Sequence, residues 1–217
     1  MQIVAVDGPA GSGKSSVSKA AALKLGFGYL DTGAAYRALT LACMRGVLDP
    51  ALLSVEEIAN RFEYSISIDP NNFWVKLSQE DVTDAIRSES VAGKVSEIAK
   101  LPQVRNFMRE LTRQISSKCE YPGIIVEGRD ITTVVFPEAK TRILLTASEE
   151  VRLVRREKEL PIGTQVADVV TERDRNDSKV VDFLTPAEGV KLLDSTNLSF
   201  DETVDALVKI IKNAEGN

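Results

Sequence analysis

The sequence predicts an α/β protein built on a doubly wound parallel sheet, and three observations predict it. A short apolar strand runs into a glycine-rich loop and then a helix, and single strands alternate with helices along most of the 217 residues. The third is a period-two hairpin in mid-chain, which marks a smaller lobe inserted into the main architecture.

Gly8-Pro9-Ala10-Gly11-Ser12-Gly13-Lys14-Ser15 fits the P-loop pattern G-x-x-x-x-G-K-[ST] without gap or substitution. Residues 3–6, Ile-Val-Ala-Val, read as a buried strand before it, and residues 16–25 read as a helix after it. Three glycines let the backbone wrap closely around an anion, and the helix presents its positive dipole end to the same point. A triphosphate is the natural guest. Lys14 would supply a movable positive charge to its β- and γ-phosphates, and the Ser15 hydroxyl would help hold a phosphate-bound Mg2+ ion.

Gly26-Phe27-Gly28 ends the first helix, and residues 29–33 form a short strand or turn closing on a glycine. A helix is expected from Ala34 to about Gly46, with Tyr36 and Arg37 in its first turn. Ser54-Val55-Glu56-Glu57 is a capping box opening a short helix to about Arg61. Residues 64–68 alternate with period two, 69–72 form a turn, and 73–77 are strand-like again. Helices follow over about 83–87, 89–100 and 102–118, with Pro102 in the first turn of the last. Strands are expected at 124–127, directly before Gly128-Arg129-Asp130, and at 142–146. A charged helix starts at Ser148 and runs to about Leu160, followed by a polar helix around 169–178. A strand at 190–193 and a helix from the capping box Ser199-Phe200-Asp201-Glu202 to about Asn213 close the chain. Glu127 stands at a strand end, either organising magnesium-bound water or serving as a plain strand-end carboxylate.

Composition narrows the chemistry. A hydrophobic content of 43% and a charged content of 27% describe an ordinary globular protein. The net charge of -5 argues against a nonspecific nucleic-acid or membrane-surface partner. No apolar run is long enough to span a bilayer and no leader precedes the first strand, so a cytoplasmic chain is expected. Cys43 and Cys119 are isolated and read as packing residues. With no histidine, Ser-His triads and histidine metal sites are excluded, and phosphoryl transfer suits the remaining lysines, arginines and carboxylates.

Several segments beyond the loop carry arginines and carboxylates where a second phosphorylated ligand could be held. These are Asp31-Thr32-Gly33 with Tyr36 and Arg37, Gly128-Arg129-Asp130, and Arg173, which shares a helix face with Asp177. Together with residues 30–37 (Leu-Asp-Thr-Gly-Ala-Ala-Tyr-Arg), Ser96, Pro102, Arg105, Thr133-Val134-Val135-Phe136-Pro137, Arg173-Asp174, Asp177-Ser178 and Leu193-Asp194-Ser195-Thr196, they resemble the bacterial cytidylate kinases, within the nucleoside monophosphate kinases.

The resemblance implies ATP as donor and CMP or dCMP as acceptor. It implies a core of about 1–36 and 120–217, a monophosphate-binding lobe of small antiparallel sheet plus helices over 37–119, and a helical lid over about 158–182. Donor-loop contacts extend through Ser16. Arg37 and Arg129 would grip the acceptor phosphate, with Thr32 nearby and Tyr36 near the sugar, while Arg173 and Asp177 would reach the sugar from the lid. Ser96, Arg105 and Asp130 would read the base, and Lys14, Arg37, Arg129 and Arg173 would be catalytic. The family's lid carries a further arginine after the aspartate. Here Lys179 is the nearest following charge, which leaves that contact displaced, weakened or supplied by Arg175. A monomer is expected, with small-molecule partners only. The alternatives are a kinase for UMP, AMP or shikimate, and a nucleotide-hydrolysing switch; no Asn-Lys-x-Asp guanine signature is present.

Overall fold

The computed structural model describes residues 1–158 and 182–215. Internal contacts divide the chain into two units, Met1–Tyr29 with Tyr121–Asn217, and Leu30–Glu120. The first junction falls between residues 29 and 30, and the helix that starts at Thr32 packs among the elements of the second unit.

In the first unit, β1 (Gln2–Asp7) leads through the loop into α1 (Lys14–Leu25). The other elements are β6 (Gly123–Gly128), β7 (Thr141–Thr146), α7 (Glu149–Glu157), β8 (Lys191–Asp194) and α8 (Phe200–Glu215). With β2 (Gly28–Asp31) the strands form one sheet of order β2-β6-β1-β7-β8. β1 pairs in parallel with both β6 and β7, and β8 is parallel to β7. Val4, Ala5, Val6, Ile124, Ile125 and Val126 are fully buried, which is why these strands read as continuous apolar runs rather than alternating ones. Helix α1 lies against α8, where the second capping box forms as expected: Ser199 N–H donates to Glu202 and Glu202 N–H to Ser199.

β6 opens on Gly123, where a Cβ would sit 2.5–2.7 Å from the Phe27 ring. Both residues are buried, so the ring has little room to yield. Gly123→Ala is expected to cost about 1–3 kcal/mol of stability by overpacking. A thermal melt checks this; an unchanged Tm would contradict it.

The second unit has its own core, including Leu39, Ile58, Val75, Val82, Ile86, Val104 and Met108. Its first helix, α2 (Thr32–Met44), starts two residues earlier than the sequence suggested because the Asp31 carboxylate caps it, accepting from Ala34 N–H at 3.0 Å. α3 (Val55–Arg61) carries the expected capping box in full. β3 (Tyr64–Ile66) and β4 (Val75–Leu77) pair antiparallel but are shorter than expected. A third strand, β5 (Glu80–Asp81), extends the sheet. Its two acidic residues have little strand propensity. It forms because Val82 N–H donates to Val75 O at 2.8 Å and because Arg45 holds both oxygens of Glu80, at 2.7 and 2.9 Å.

The helix expected over 83–87 is a single 3-10 turn, Ala85–Arg87. The one expected over 89–100 is two short helices, α4 (Glu89–Ala92) and α5 (Val95–Ala99). Gly93 closes α4 by donating its N–H to Glu89 O, and glycine's weak helix propensity places the break there. α6 (Pro102–Ser117) follows, with proline in its first turn as expected. Cys43 is half-buried, and burial foremost pushes its thiol up to about 11, so it stays a protonated packing residue. No helix among the described residues is long and apolar enough to cross a membrane.

Candidate active site

The loop from Gly8 to Ser15 lies between β1 and α1, and its shape is held from outside by three arginines. Arg129 Nη1 donates to Gly8 O at 2.6 Å, Arg152 Nη1 to Ala10 O at 2.9 Å, and Arg155 Nη1 to Ser12 O at 3.2 Å. Carbonyls 8, 10 and 12 are thereby engaged by guanidinium groups, which favours a backbone whose N–H groups are left to face an anion. Two glycines are required by close approach: a side chain at Gly8 would run into the Leu145 carbonyl, and one at Gly11 (φ 74°) would come within 2.6 Å of Arg152 O. Helix α1 starts at Lys14, two residues before the expected start, with Gly13 as its left-handed cap. Lys14, Ser15 and Ser16 therefore occupy its first turn, where the helix dipole is positive.

The Ser15 hydroxyl donates to Glu127 Oε1 at 2.6 Å, and the Tyr29 hydroxyl donates to the same oxygen at 3.3 Å. Glu127 is only 2% exposed, so it is not a solvated strand-end carboxylate. A hydroxyl and a carboxylate this close form an all-oxygen donor pair that suits a hard divalent cation.

Arg129 and Asp130 follow β6 directly, and Asp7 holds the two residues after them. Asp7 is 2% exposed. It accepts from Ile131 N–H at 2.9 Å, Thr132 N–H at 2.8 Å and the Thr132 hydroxyl at 2.6 Å. Burial pushes its carboxyl above the ordinary aspartate value, the three hydrogen bonds pull it back, and the nearby Asp130 charge adds to the rise. Residues Ile131–Val135 form a single π-helical turn in which Val135 N–H reaches back to Asp130 O at 3.0 Å. The Arg129 guanidinium also lies 4.4 Å over the ring of buried Phe183.

After β8, Asp194-Ser195-Thr196 completes the support. Ser195 accepts from Arg155 through both Oγ and its carbonyl, each at 3.0 Å, and Ser148 N–H donates to Thr196 Oγ1 at 2.9 Å. Ser148 caps α7, which carries Arg152 and Arg155 three residues apart on one face.

In the second unit, Thr32, Tyr36 and Arg37 sit on α2, Ser96 on α5 and Arg105 in the first turns of α6. Arg37 Nη2 is paired with Asp31 at 2.8 Å. Arg173 and Asp177, with the rest of the expected lid from 159 to 181, lie outside the described residues. Sequence reasoning missed Asp7, Arg152, Arg155 and the Tyr29–Glu127–Ser15 chain. Only the i, i+3 arginine spacing on a charged helix was available as a signal for any of them.

A parallel sheet of this order with a complete phosphate-binding loop after β1 is the core of a P-loop kinase. The chain belongs to the cytidylate kinase family, whose pattern it matches over residues 4–213. It is 39% identical over 214 residues to the cytidylate kinase of Cutibacterium acnes, covering 96% of this chain and 95% of that one. Among solved structures it is similar in fold to a protein of Thermus thermophilus (TM-score 0.52, 17% identity, 98% and 96% coverage). It is also similar to the shikimate kinase of Bacteroides thetaiotaomicron (TM-score 0.50, 13% identity, 100% and 99% coverage). At those identities the two structures speak to fold alone.

Proposed function

We propose that the protein transfers the γ-phosphoryl group of ATP to CMP or dCMP, giving ADP and CDP or dCDP. The observation that carries the reading is the arginine-held loop, with Arg129 bonded to Gly8 and the residues directly after Asp130 bonded to Asp7, in a chain of the cytidylate kinase family.

Residues 8–16 cradle the donor phosphates, and Lys14 follows charge from the β–γ bridge onto the transferring group. The kinase family implies ATP with a divalent cation. We take it to be Mg2+, which when bound neutralises phosphate charge; Ser15 would hold it and Glu127 would orient its water. The acceptor phosphate is gripped by Arg37, Arg129 and Arg173, beside Thr32. Tyr36 packs near the sugar, which Asp177 and Arg173 reach from a lid over about 158–182. Residues 37–119 act as the monophosphate-binding lobe.

Ser96, Arg105 and Asp130 read the base. Cytosine offers O2 and N3 as acceptors to an arginine and its N4 amino group as a donor to a carboxylate or hydroxyl, whereas uracil presents O4 and a protonated N3. The acceptor oxygen attacks the γ-phosphorus in line with no covalent enzyme intermediate, and closure of lobe and lid keeps water from competing. We place the protein in the cytoplasm as a monomer, with no nucleic-acid or membrane partner.

A coupled ADP-release assay with CMP, dCMP, UMP, AMP and shikimate tests the reading. Preference for the two cytidylates is expected. Equal or better turnover with another acceptor would overturn it.

A further inference from the structure

Among the described residues, three buried side-chain polar atoms of the second unit lack hydrogen-bond partners, and two of them are Arg37 Nε and the Tyr64 hydroxyl. Both can donate. Arg37 has already committed Nη2 to Asp31 at 2.8 Å, and the Asp31 carboxylate is further occupied by Ala34 N–H. Tyr64 is held on β3, its ring stacked on Phe62 at 5.1 Å with an interplanar angle of 10°, so its hydroxyl is fixed by packing rather than by polar contacts. Tyr64 packs against the core that includes Ala34, Ala35 and Ala38 of α2, the helix that carries Arg37, and the charges of Asp31 and Arg37 both act on its hydroxyl. Burial pushes the phenol well above its ordinary value, Asp31 adds to the rise and Arg37 partly offsets it, which keeps the group a proton donor at any working pH.

A buried, unpaired hydroxyl costs stability, and native structures rarely keep one without a reason. An unpaired guanidinium N–H and an unpaired hydroxyl call for an acceptor, and an oxyanion can satisfy both at once. We propose that Tyr64 contacts the acceptor nucleotide, its hydroxyl donating to a phosphate oxygen next to Arg37. This rests on the reading of Arg37 as the grip on the acceptor phosphate. Tyr64 thereby joins β3, a strand of the small antiparallel sheet, to phosphate recognition on α2.

The test is Tyr64→Phe, which keeps the stacked ring and removes only the hydroxyl, compared with Arg37→Ala and the unaltered protein. Calorimetric titration with CMP and with cytidine is combined with the melting temperature of the ligand-free protein. Tyr64→Phe is expected to weaken CMP about tenfold or more, the worth of one hydrogen bond to a charged group, and to change cytidine binding less than about twofold. Its ligand-free Tm should be equal or higher, since an unsatisfied group is removed. Unchanged CMP affinity in Tyr64→Phe alongside weakened binding in Arg37→Ala overturns the assignment of Tyr64 alone. Equal losses for CMP and cytidine, or a lower Tm, overturn it too, the first by removing the phosphate contact and the second by giving the hydroxyl a structural role. An Arg37→Ala variant with full CMP affinity sinks the Arg37 reading, and the Tyr64 contact with it.

Discussion

Lys14→Ala is expected to lower turnover about 10³-fold with every acceptor, the scale seen when a charge aimed at the transition state is removed. Lys14 stands in the first turn of α1, at the positive end of the helix and directly after the loop. The loop itself is shaped by Arg129, Arg152 and Arg155 on its carbonyls and by close packing at Gly8 and Gly11, none of which involves the Lys14 side chain. Removing the lysine removes its charge while those contacts to the loop remain. ATP should still bind, less tightly, while the chemical step suffers most, because charge on the transferring group grows toward the transition state. The coupled ADP-release assay and a nucleotide titration separate the two effects. Near-normal turnover would show that the loop is not the donor site.

Asp130→Ala is expected to erode the preference for CMP over UMP by about 10²-fold, with a smaller loss of overall fold stability. Asp130 is nearly buried, at 9% exposure, and heads the π-helical turn, yet the bonds of that turn run to its backbone carbonyl. The anchor of the turn is Asp7, which the substitution leaves in place and relieves of a neighbouring negative charge. On the proposed reading, the lost group is the acceptor for the cytosine amino group. Paired kcat/KM values for CMP and UMP check this, and unchanged selectivity would remove Asp130 from base recognition.

The parts of this architecture that were legible in the sequence are those whose cause is local. The P-loop combines a glycine pattern with a strand and a helix in fixed order. The capping boxes at Ser54–Glu57 and Ser199–Glu202 are four-residue hydrogen-bond arrangements, and Pro102 declares a helix start by itself. What was not legible depends on residues far apart in the chain. Strand β5 exists through a backbone bond to Val75 and the Arg45–Glu80 pair, 35 residues apart. Asp7 lies just past the strand read at 3–6 and has no visible role until its partners, 124 and 125 residues later, are in place. Arg152 and Arg155 fall in a stretch read only as a charged helix, although they hold the loop from more than 140 residues away. Tyr64 read as a strand residue with a period-two pattern, and only its unpaired hydroxyl beside Asp31 and Arg37 set it apart. The long helix expected over 89–100 failed for a smaller reason, since one glycine was enough to divide it.

The most direct test of the central claim follows the phosphoryl group itself. ATP labelled in the γ-phosphate is incubated with the protein, Mg2+ and CMP, and the products are separated. The label is expected in CDP in step with ADP, with little in inorganic phosphate while CMP is present. Label released chiefly as inorganic phosphate, at a rate indifferent to CMP, would contradict it and make the protein a nucleotide hydrolase instead.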